Sequence, residues 1–401
     1  MNDLLKNRKL EIRGARSWKE HEIMVDNAAT AFGIDRDSFY FMSKYSPGYR
    51  FEDTRLSLLD GEIIGALNIL RRKVNIRGAI VDAGCIADVH IKKEYRGGGY
   101  ALRLLEDAIA YMKSEGMVVS LLFSNKHGFY GKLGWRRIIM SKYVLEAETE
   151  MFPVPDRYRV RRIGLGESIE LLRKICEETK DENSGQVHRD ASYWRSVPKW
   201  CFVREPICYA ALEDEEVVAV CMLRKKFGTI WMHECRNLPG HDESPKNLLR
   251  EALKEAKKRR LDSVTGMLPE TSPVAVKIIL LGGRREFNTD LMGLILDPKS
   301  LMEKMTPYLR RKVKEKTLYK KVKETVVVPG IGSFEIVIRN AKLEKTGSGT
   351  RKAGIEIDSG DFINMLFGTP RFSGCISGGV EDLVNDLLEP DDFNFWQMDR
   401  F

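Results

Sequence analysis

Residues 85–136 read CIADVHIKKEYRGGGYALRLLEDAIAYMKSEGMVVSLLFSNKHGFYGKLGWR, and their pattern decides how the first part of the chain folds. The apolar segments at 85–91 and 118–123 each predict a buried strand. Between them, apolar residues recur at the spacing of one helix face, which predicts a helix from Tyr100 to Glu115. This helix therefore lies with one face on a sheet, and a glycine-rich turn at 96–99 leads into it.

The glycine-rich turn has the composition of an anion-binding loop. Glycine lacks a Cβ atom, so backbone N–H groups can approach a phosphate closely while the positive end of the helix dipole points toward it. Three consecutive glycines also suit a tight turn between a strand and a helix, so this motif alone does not decide between the two. The residues that follow the second strand favour the phosphate.

Two motifs in this stretch resemble those of the Gcn5-related N-acetyltransferase (GNAT) superfamily. The segment FYGKLGW at 129–135 is similar to the superfamily's F-Y-x-K-x-G-F segment, and one helix and one strand separate it from the loop, as the superfamily requires. The superfamily's pyrophosphate loop, R-x-x-G-x-A, is matched by Arg96, Gly97, Gly98, Gly99, Tyr100 and Ala101. Together the two motifs make the resemblance specific.

The resemblance implies a cosubstrate, its binding residues and one catalytic residue. Acetyl-CoA is the implied cosubstrate, with its pyrophosphate held by the amides of the loop. The preceding strand, at Val89, His90 and Ile91, would give backbone hydrogen bonds to the pantetheine and acetyl groups. Tyr130 would protonate the departing thiolate, and no metal ion is required.

Length and composition point to several soluble domains. A chain of 401 residues exceeds one ordinary core, so two or three domains are expected. Hydrophobic residues make up 43% and charged residues 31% of the chain, as in soluble globular proteins. No apolar run resembles a signal or spans a bilayer, so we expect a cytoplasmic protein without a membrane partner. Seven scattered cysteines without a C-x-x-C pair indicate reduced thiols.

The positive net charge does not by itself indicate a nucleic-acid partner. The value of +8 is the difference between 66 basic and 58 acidic residues. The densest basic run, 310–323, is interrupted by Val313 and Leu318, which is typical of a solvated helix face. We therefore predict no nucleic-acid partner, although binding through this run stays an open alternative. A second basic cluster, 71–73, lies at the end of a predicted strand, where it could meet the coenzyme's phosphates or solvent.

The middle of the chain repeats the pattern of the first part. After a proline-containing linker at 151–156, a helix at 247–259 and a strand at 263–268 precede IILLGGRR at 278–285, which echoes the earlier FYGKLGWRR. Aligned on the arginines, Ile278 falls where Tyr130 stands. The segment LPGHDESP at 238–245 lacks R-x-x-G-x-A. This part resembles a second acetyltransferase domain that has lost its coenzyme site.

A third region begins at Asp297 and has an α+β pattern. Strands are predicted at 325–328, 334–338 and 355–357, with a flexible loop at 345–354. The whole layout resembles the enhanced-intracellular-survival (Eis) family, which implies an α/β (α+β) fold of tandem mixed-sheet GNAT-like domains. The implied domains are a catalytic GNAT domain at 1–152, a degenerate GNAT-like domain at 153–297, and a sterol-carrier-protein-like domain at 298–401.

The Eis resemblance also gives a role to the C-terminus. The chain ends FNFWQMDRF at 393–401, and so aromatic a tail is unusual for a disordered terminus. In the family the chain ends inside the first domain's site, so the Phe401 carboxylate would be the base that deprotonates the acceptor amine. Packing of the tail onto the third domain explains the aromatic residues equally well. Asp88 and His90 are the alternative bases.

The predicted function is N-acetylation of a primary amine on a small cationic acceptor. The Eis resemblance implies an aminoglycoside-like compound, with polyamines or lysine side chains as further acceptors, and a homo-oligomer that is commonly a hexamer. Aromatic residues at 39–51 would line the acceptor pocket or form core, and carboxylates at its mouth are expected among Glu389, Asp391 and Asp392. The alternative function is a non-catalytic acyl-CoA-binding sensor or scaffold.

Overall fold

The computed structural model describes residues 8–179, 184–201, 205–315, 321–339, 342–348 and 355–368, and the single residues 384, 387, 388, 393, 395 and 399. Its first elements are β1 Leu10–Gly14, α1 Trp18–Phe32, α2 Arg36–Lys44, β2 Thr54–Leu59, β3 Glu62–Ile76, β4 Ala79–Ile91, α3 Tyr100–Ser114, β5 Val119–Phe123, α4 His127–Gly131, β6 Arg136–Arg137 and β7 Met140–Glu146. The middle elements are β8 Arg159–Ile163, α5 Leu165–Thr179, α6 Ala191–Cys201, β9 Ile207–Glu213, β10 Glu216–Lys226, β11 Thr229–Asn237, α7 Ser244–Lys258, β12 Ser263–Met267, α8 Pro273–Leu280, β13 Arg284–Asn288 and β14 Leu291–Ile295. The last are α9 Pro298–Glu315, β15 Lys321–Val328, β16 Gly332–Arg339, β17 Lys342–Ser348, β18 Ile355–Glu356 and α10 Ser359–Phe367.

The first sheet has the strand order β1-β2-β3-β4-β5-β14-β6. Its first four strands are antiparallel, and β5 pairs parallel to β4 after the crossover through α3. The predicted α3 is confirmed, since its apolar stripe packs on one face of the sheet: Leu104, Leu105, Ala108 and Met112 are all buried. Helix α1 packs elsewhere on the sheet, against residues of β2 and β3. The point where β4 and β5 begin to separate, next to the start of α3, positions the site.

The second sheet repeats this arrangement with the strand order β13-β7-β12-β11-β10-β9-β8. Here β11 and β12 are the parallel pair, joined by α7. Two strands are exchanged between the sheets: β7 pairs with β12 and β13 in the second sheet, while β14 pairs with β5 and β6 in the first. The predicted tandem of mixed sheets is confirmed. The domain limits at 152 and 297 stay a prediction, and the exchanged strands cross them.

The third region adds a four-stranded sheet, β17-β16-β15-β18, packed with α9 and α10 around an apolar core. Part of the predicted loop at 345–354 is wrong, because residues 345–348 extend β17 beside β16. Among the described residues the interior leaves a space of only about 20 Å³, lined by apolar side chains such as Phe334 and Phe362. The likeness to sterol carrier proteins stays a prediction.

Arg77 joins the first sheet to the third region. It lies at the tip of the β3–β4 hairpin with φ of 51°, and its side chain is almost fully buried. Its guanidinium group donates to the backbone oxygens of Met365, Leu366 and Leu388 and to the Tyr308 hydroxyl. The first two oxygens belong to the last turn of α10, where a positive charge is favourable because the helix dipole is negative there.

Candidate active site

A groove of about 470 Å³ lies between the end of β4 and the start of α3. It brings together nearly every residue predicted for the coenzyme site, together with Tyr130 from α4. The predicted residues that line it are Val89, His90, Ile91, Arg96, Gly97, Gly99, Tyr100, Ala101 and Tyr130. Gly98 belongs to the same loop. The sequence did not single out Phe32 at the end of α1, which also lines the groove and is half exposed.

The loop before α3 presents backbone amides that no group in the described part of the chain uses. Gly97 and Gly99 have φ of 87° and 76°, a conformation that side chains rarely tolerate. The N–H groups from Gly97 to Leu102 bond to no acceptor among the described residues. They lie at the positive end of a 15-residue helix, as a pyrophosphate requires. The Arg96 side chain fixes the loop by donating from Nε to Ile91 O at 3.0 Å.

A β-bulge interrupts β4 where it enters the groove. The register with β3 shifts between Ala66↔His90 and Asn68↔Ala87, so that Asp88 and Val89 both face Leu67. Asp88 takes φ of 58°, an uncommon value for a residue other than glycine. A bulge of this kind leaves one residue out of the ladder and redirects neighbouring groups. The strand can thus direct backbone N–H groups toward a bound ligand.

Tyr130 contributes a phenol to the groove. Its ring packs edge-on against Phe129 and Trp135, and the side chain is largely buried. Burial raises the pKa of Tyr130, because the charged phenolate is poorly solvated there. The hydroxyl therefore stays protonated at neutral pH and can act as a proton donor.

His90 and Asp88 are linked through the backbone of the bulge. The His90 Nδ1 lies 2.8 Å from Asp88 O, so Nδ1 carries the proton and donates it, since a carbonyl only accepts. The Nε2 atom is buried and bonds to no group among the described residues. Burial lowers the pKa of His90, and Arg96 and Lys92 lower it further, so the ring is neutral. The Asp88 Oδ2 accepts from Asn68 Nδ2 at 2.8 Å.

The C-terminal tail is docked at three described positions. Phe393 packs edge-on against Phe367, and Phe395 does so against Phe123 at the end of β5. Asp399 is buried between Arg189, which it contacts at 2.8 Å, and the Tyr193 hydroxyl. The predicted catalytic carboxylate of Phe401 lies outside the described residues, as do Glu389, Asp391 and Asp392.

The basic cluster 71–73 does not line the groove. Arg71 forms ion pairs with Asp53 and Glu115. Arg72 is buried and donates to Ser46 Oγ at 2.7 Å. The sequence predicted that this cluster meets either the coenzyme's phosphates or solvent. Both predictions are wrong for Arg72, because it is buried and bonded to Ser46.

Aromatic side chains near α1 and α2 hold a primary ammonium group. Lys44 Nζ lies 5.4 Å from the ring centroid of Trp18, 4.7 Å from that of Tyr40 and 5.8 Å from that of Tyr45. It also donates to the Tyr40 hydroxyl at 2.6 Å. Aromatic faces attract cations through the negative potential of the ring. The chain's own Lys44 ammonium therefore occupies the space between these rings.

Two further properties concern metals and membranes. The described residues contain no group of three or more His, Cys, Asp or Glu side chains placed to hold a metal ion. In the same part of the chain, every helix is too short or too polar to cross a bilayer.

Comparison with known proteins identifies the domain that holds the groove. Residues 11–138 match a family model described as an acetyltransferase (GNAT) domain. No curated protein matches the chain.

Solved structures share the fold along almost their whole length. A GCN5-related N-acetyltransferase from Anabaena variabilis has a TM-score of 0.72 at 14% identity, covering 98% of this chain and 100% of that chain. A probable N-acyltransferase from Enterococcus faecalis has a TM-score of 0.71 at 15% identity with the same coverage. Eis1 from Mycobacterium abscessus has a TM-score of 0.68 at 14% identity, again with 98% and 100% coverage. At these identities the likeness shows the three-part fold.

Proposed function

We propose that the chain is an N-acetyltransferase that uses an acyl-CoA donor and transfers acetyl groups to primary amines of small cationic compounds, since residues 11–138 match a family model described as an acetyltransferase (GNAT) domain. The groove carries this proposal, since it combines unpaired amides at a helix N-terminus with the protonated phenol of Tyr130. An anion and a leaving thiolate are the two features of acetyl-CoA that need these groups.

The proposed roles follow from the chemistry of each group. The amides of the loop from Gly97 to Ala101 bind the pyrophosphate, and the backbone at 89–91 binds the pantetheine and orients the thioester. Acetyl-CoA supplies the activated acetyl group and a sulfur leaving group. Tyr130 gives its proton to that sulfur, and the bulge N–H groups stabilise negative charge on the carbonyl oxygen.

An ammonium group must lose a proton before its nitrogen can attack a carbonyl carbon, so the site needs a base. The carboxylate of Phe401 is one proposed base. The buried contacts of Phe395 and Asp399 support this role, because they hold the tail close to β5 and to α6. Asp88 and His90 are the other two candidates; Asp88 belongs to the bulge, and His90 follows it in register with Ala66.

The acceptor is proposed to be a cation. The fold shared with Eis1 from M. abscessus supports an aminoglycoside-like acceptor, with polyamines and lysine side chains as related classes. These acceptors share several amines and a high positive charge.

The broader organisation is also proposed from the Eis resemblance. We propose a catalytic domain at 1–152, a degenerate acetyltransferase-like domain at 153–297 and a sterol-carrier-like domain at 298–401. A homo-oligomer, commonly a hexamer in that family, and a cytoplasmic location are proposed on the same basis. Light scattering of the purified chain measures its oligomeric state directly.

The test is release of free thiol from acetyl-CoA by the purified chain in the presence of aminoglycosides, polyamines or lysine peptides. Turnover with one class, and a product mass increased by one acetyl group, would establish the acceptor. Coenzyme binding without thiol release for any amine would contradict the proposal and favour a non-catalytic acyl-CoA sensor.

A further inference from the structure

We propose that Asp88 is the base that takes the proton from the acceptor amine, and that a buried chain of hydrogen bonds from Thr54 through Asn68 holds its carboxylate ready. The inference rests on the acetyltransferase function proposed above and chooses among three candidate bases. It depends on the position of Asp88, on the direction of the hydrogen bonds, and on the charges around it.

The backbone of Asp88 is unusual, and the residue is next to the groove in sequence. Asp88 does not itself line the groove, but it immediately precedes Val89, His90 and Ile91, which do, and it occupies the bulge of β4. A positive φ for a residue other than glycine carries strain, and such strain is concentrated at functional sites. The bulge turns the carboxylate toward Asn68 of β3.

The hydrogen bonds around His21 take the Tyr49 proton and leave the Thr54 proton for Asn68. Ser43 has one hydroxyl proton and donates it to the backbone oxygen of Phe39 at 2.8 Å. It must therefore accept from His21 Nε2, which lies 3.0 Å away. His21 is neutral, because burial lowers its pKa to about 4, so its Nδ1 is an acceptor. The Tyr49 hydroxyl donates to that Nδ1 at 2.9 Å.

The amide of Asn68 is fixed by its two partners. The Thr54 hydroxyl donates to Asn68 Oδ1 at 2.6 Å. Its 3.1 Å contact with the Tyr49 hydroxyl carries no proton, because Tyr49 donates to His21. Because Oδ1 faces Thr54, the Asn68 nitrogen faces Asp88 and donates to its Oδ2. Thr54 and Asn68 are both fully buried, so water does not compete for these bonds. Thr54 thus orients the Asn68 amide so that Asp88 Oδ2 receives a donor, which favours the ionised form of Asp88.

The second carboxylate oxygen remains free for chemistry. Asp88 Oδ1 receives no hydrogen bond from the described residues, whereas Oδ2 is held by Asn68. A base needs such an arrangement, with one oxygen fixed and the other able to accept a proton. A purely structural carboxylate in a buried position usually has both oxygens bonded.

The surrounding charges favour Asp88 over His90 as base. His90 would become a cation on accepting a proton, and Arg96 and Lys92 already oppose that charge. Asp88 would become neutral, which burial favours. Burial raises the pKa of Asp88 to about 6, while the Asn68 bond opposes the rise. The titratable groups nearest in the chain and strand, His21, Tyr49 and His90, are uncharged at neutral pH, so Asp88 is ionised there and able to act.

Acetyl transfer to the amine moves two protons from the substrate nitrogen. Asp88 Oδ1 takes one proton from the substrate ammonium, and the freed nitrogen lone pair forms a bond to the acetyl carbon. The carbon–sulfur bond breaks, the sulfur takes a proton from the Tyr130 hydroxyl, and the second proton lost by the nitrogen restores Tyr130. Asp88 then releases its proton to solvent. The sum is an amide, free thiol and one proton.

The principal test is Asp88→Asn, assayed with the amine that the wild type acetylates. Asparagine keeps the shape and tolerates positive φ, so the fold should persist. We expect kcat to fall about 100-fold or more, and the rise of kcat/KM with pH near 6 to disappear, while acetyl-CoA affinity is unchanged. The matched control is Asp82→Asn on the same strand, an exposed carboxylate paired with Lys73, which should leave kcat unchanged.

A second pair of variants tests the hydrogen-bond chain without touching Asp88. Thr54→Val removes the hydroxyl that orients Asn68, so the carboxylate loses a fixed donor and its pKa should rise. The rise of kcat/KM with pH should then move to higher pH, and Thr54→Ser should restore it. Unchanged pH profiles in both variants would overturn the role of the chain. If Asp88→Asn does not fold, the pH profiles of these variants still test whether Asp88 is the base.

The remaining outcomes separate this inference from the function on which it rests. Full activity of Asp88→Asn with an unchanged pH profile overturns the assignment of Asp88. Adding one alanine after Phe401 moves the terminal carboxylate by about 3.5 Å, and we expect the extended chain to keep its turnover. Loss of turnover there, together with an active Asp88→Asn, would assign the base to the C-terminus. A wild type that acetylates no amine overturns both proposals together.

Discussion

The two large sheets contain the same parallel pair of strands joined by a helix, yet the helices begin differently. Before α3, the N–H groups from Gly97 to Leu102 have no acceptor among the described residues. Before α7, Ser244 N bonds to His241 O, Lys246 N bonds to Glu243 O, and Pro245 has no N–H group. The N-cap of α7 is Glu243, whose carboxylate would repel a phosphate.

The bulge is retained in the second sheet, although the chemistry around it is not. His233 interrupts the β10–β11 register, and it precedes α7 by as many residues as Val89 precedes α3. The adjacent Glu234 is fully buried and paired with Arg189 and Arg236. In the first sheet, by contrast, the bulge carries a carboxylate with one free oxygen. The comparison shows that the backbone shape persists while a few polar groups decide whether it binds a ligand.

The largest effect should follow from placing a glutamate in the loop before α3, as in the segment before α7. Gly99→Glu places a side chain at positive φ and a carboxylate at the start of α3. We expect kcat/KM for acetyl-CoA to fall about 1,000-fold, on the order of 4 kcal/mol, from strain and lost charge-assisted bonds. Steady-state kinetics measure this. Gly240→Glu in the second loop, also at positive φ, is the control, and an equal loss there would contradict a single coenzyme site.

The ion cluster beside the second bulge should matter for stability. Asp399→Asn removes a buried charge that contacts Arg189 and Tyr193, so we expect the free energy of unfolding to fall by about 3 kcal/mol. Denaturant unfolding measures the change. Glu215→Gln, which removes an exposed carboxylate, should leave stability unaltered. An unfolding free energy equal to that of the wild type would mean that the tail is not held through Asp399.

Tyr130→Phe tests the catalytic difference between the sheets. We expect kcat to decrease about 100-fold because the leaving sulfur loses its proton donor, while acetyl-CoA affinity stays the same. Rapid-quench or steady-state assays, with calorimetry for binding, separate the two quantities. Tyr95→Phe is the matched variant, since Tyr95 also lines the groove but its hydroxyl donates to Glu62 at 2.9 Å. Equal kcat values for the two variants would remove Tyr130 from the mechanism.

The smallest effect is expected at the position that corresponds to Tyr130. Ile278 of α8 is buried in the core of the second sheet. Ile278→Val should cost about 1 kcal/mol of stability and leave turnover unchanged, because only a methylene group is lost. Thermal unfolding and thiol release measure the two quantities. A clear loss of turnover would show that the second sheet contributes to catalysis.

Much of the fold could be predicted because it is encoded locally. The apolar stripe of α3, the loop glycines and the echo at 247–285 predicted a repeated helix and strand pattern, and the resemblance to the GNAT superfamily implied that the repeat forms tandem mixed sheets. The exchange of β7 and β14 could not be predicted, since an apolar strand carries little information about its partner. The tip residue Arg77 reads as exposed in sequence, and only the fold brings the α10 carbonyl groups to it.

The site residues also fall into a group that the sequence predicts and a group that it does not. The loop and Tyr130 belong to a compact motif, so the sequence alone predicted that they lie in one site. Asn68, Thr54 and His21 come from distant segments and have no motif, and a bulge leaves no mark in a pattern of alternating residues. Asp399 likewise resembles a surface acid of the tail, and its burial depends on Arg189, far away in the sequence.

The most direct test of the difference between the two sheets is the stoichiometry of acetyl-CoA binding. Calorimetric titration of the purified wild-type chain should give one site per chain, and Gly99→Glu should abolish the measured heat while Gly240→Glu preserves it. Two sites per chain, or binding that survives in Gly99→Glu and disappears in Gly240→Glu, would contradict the account.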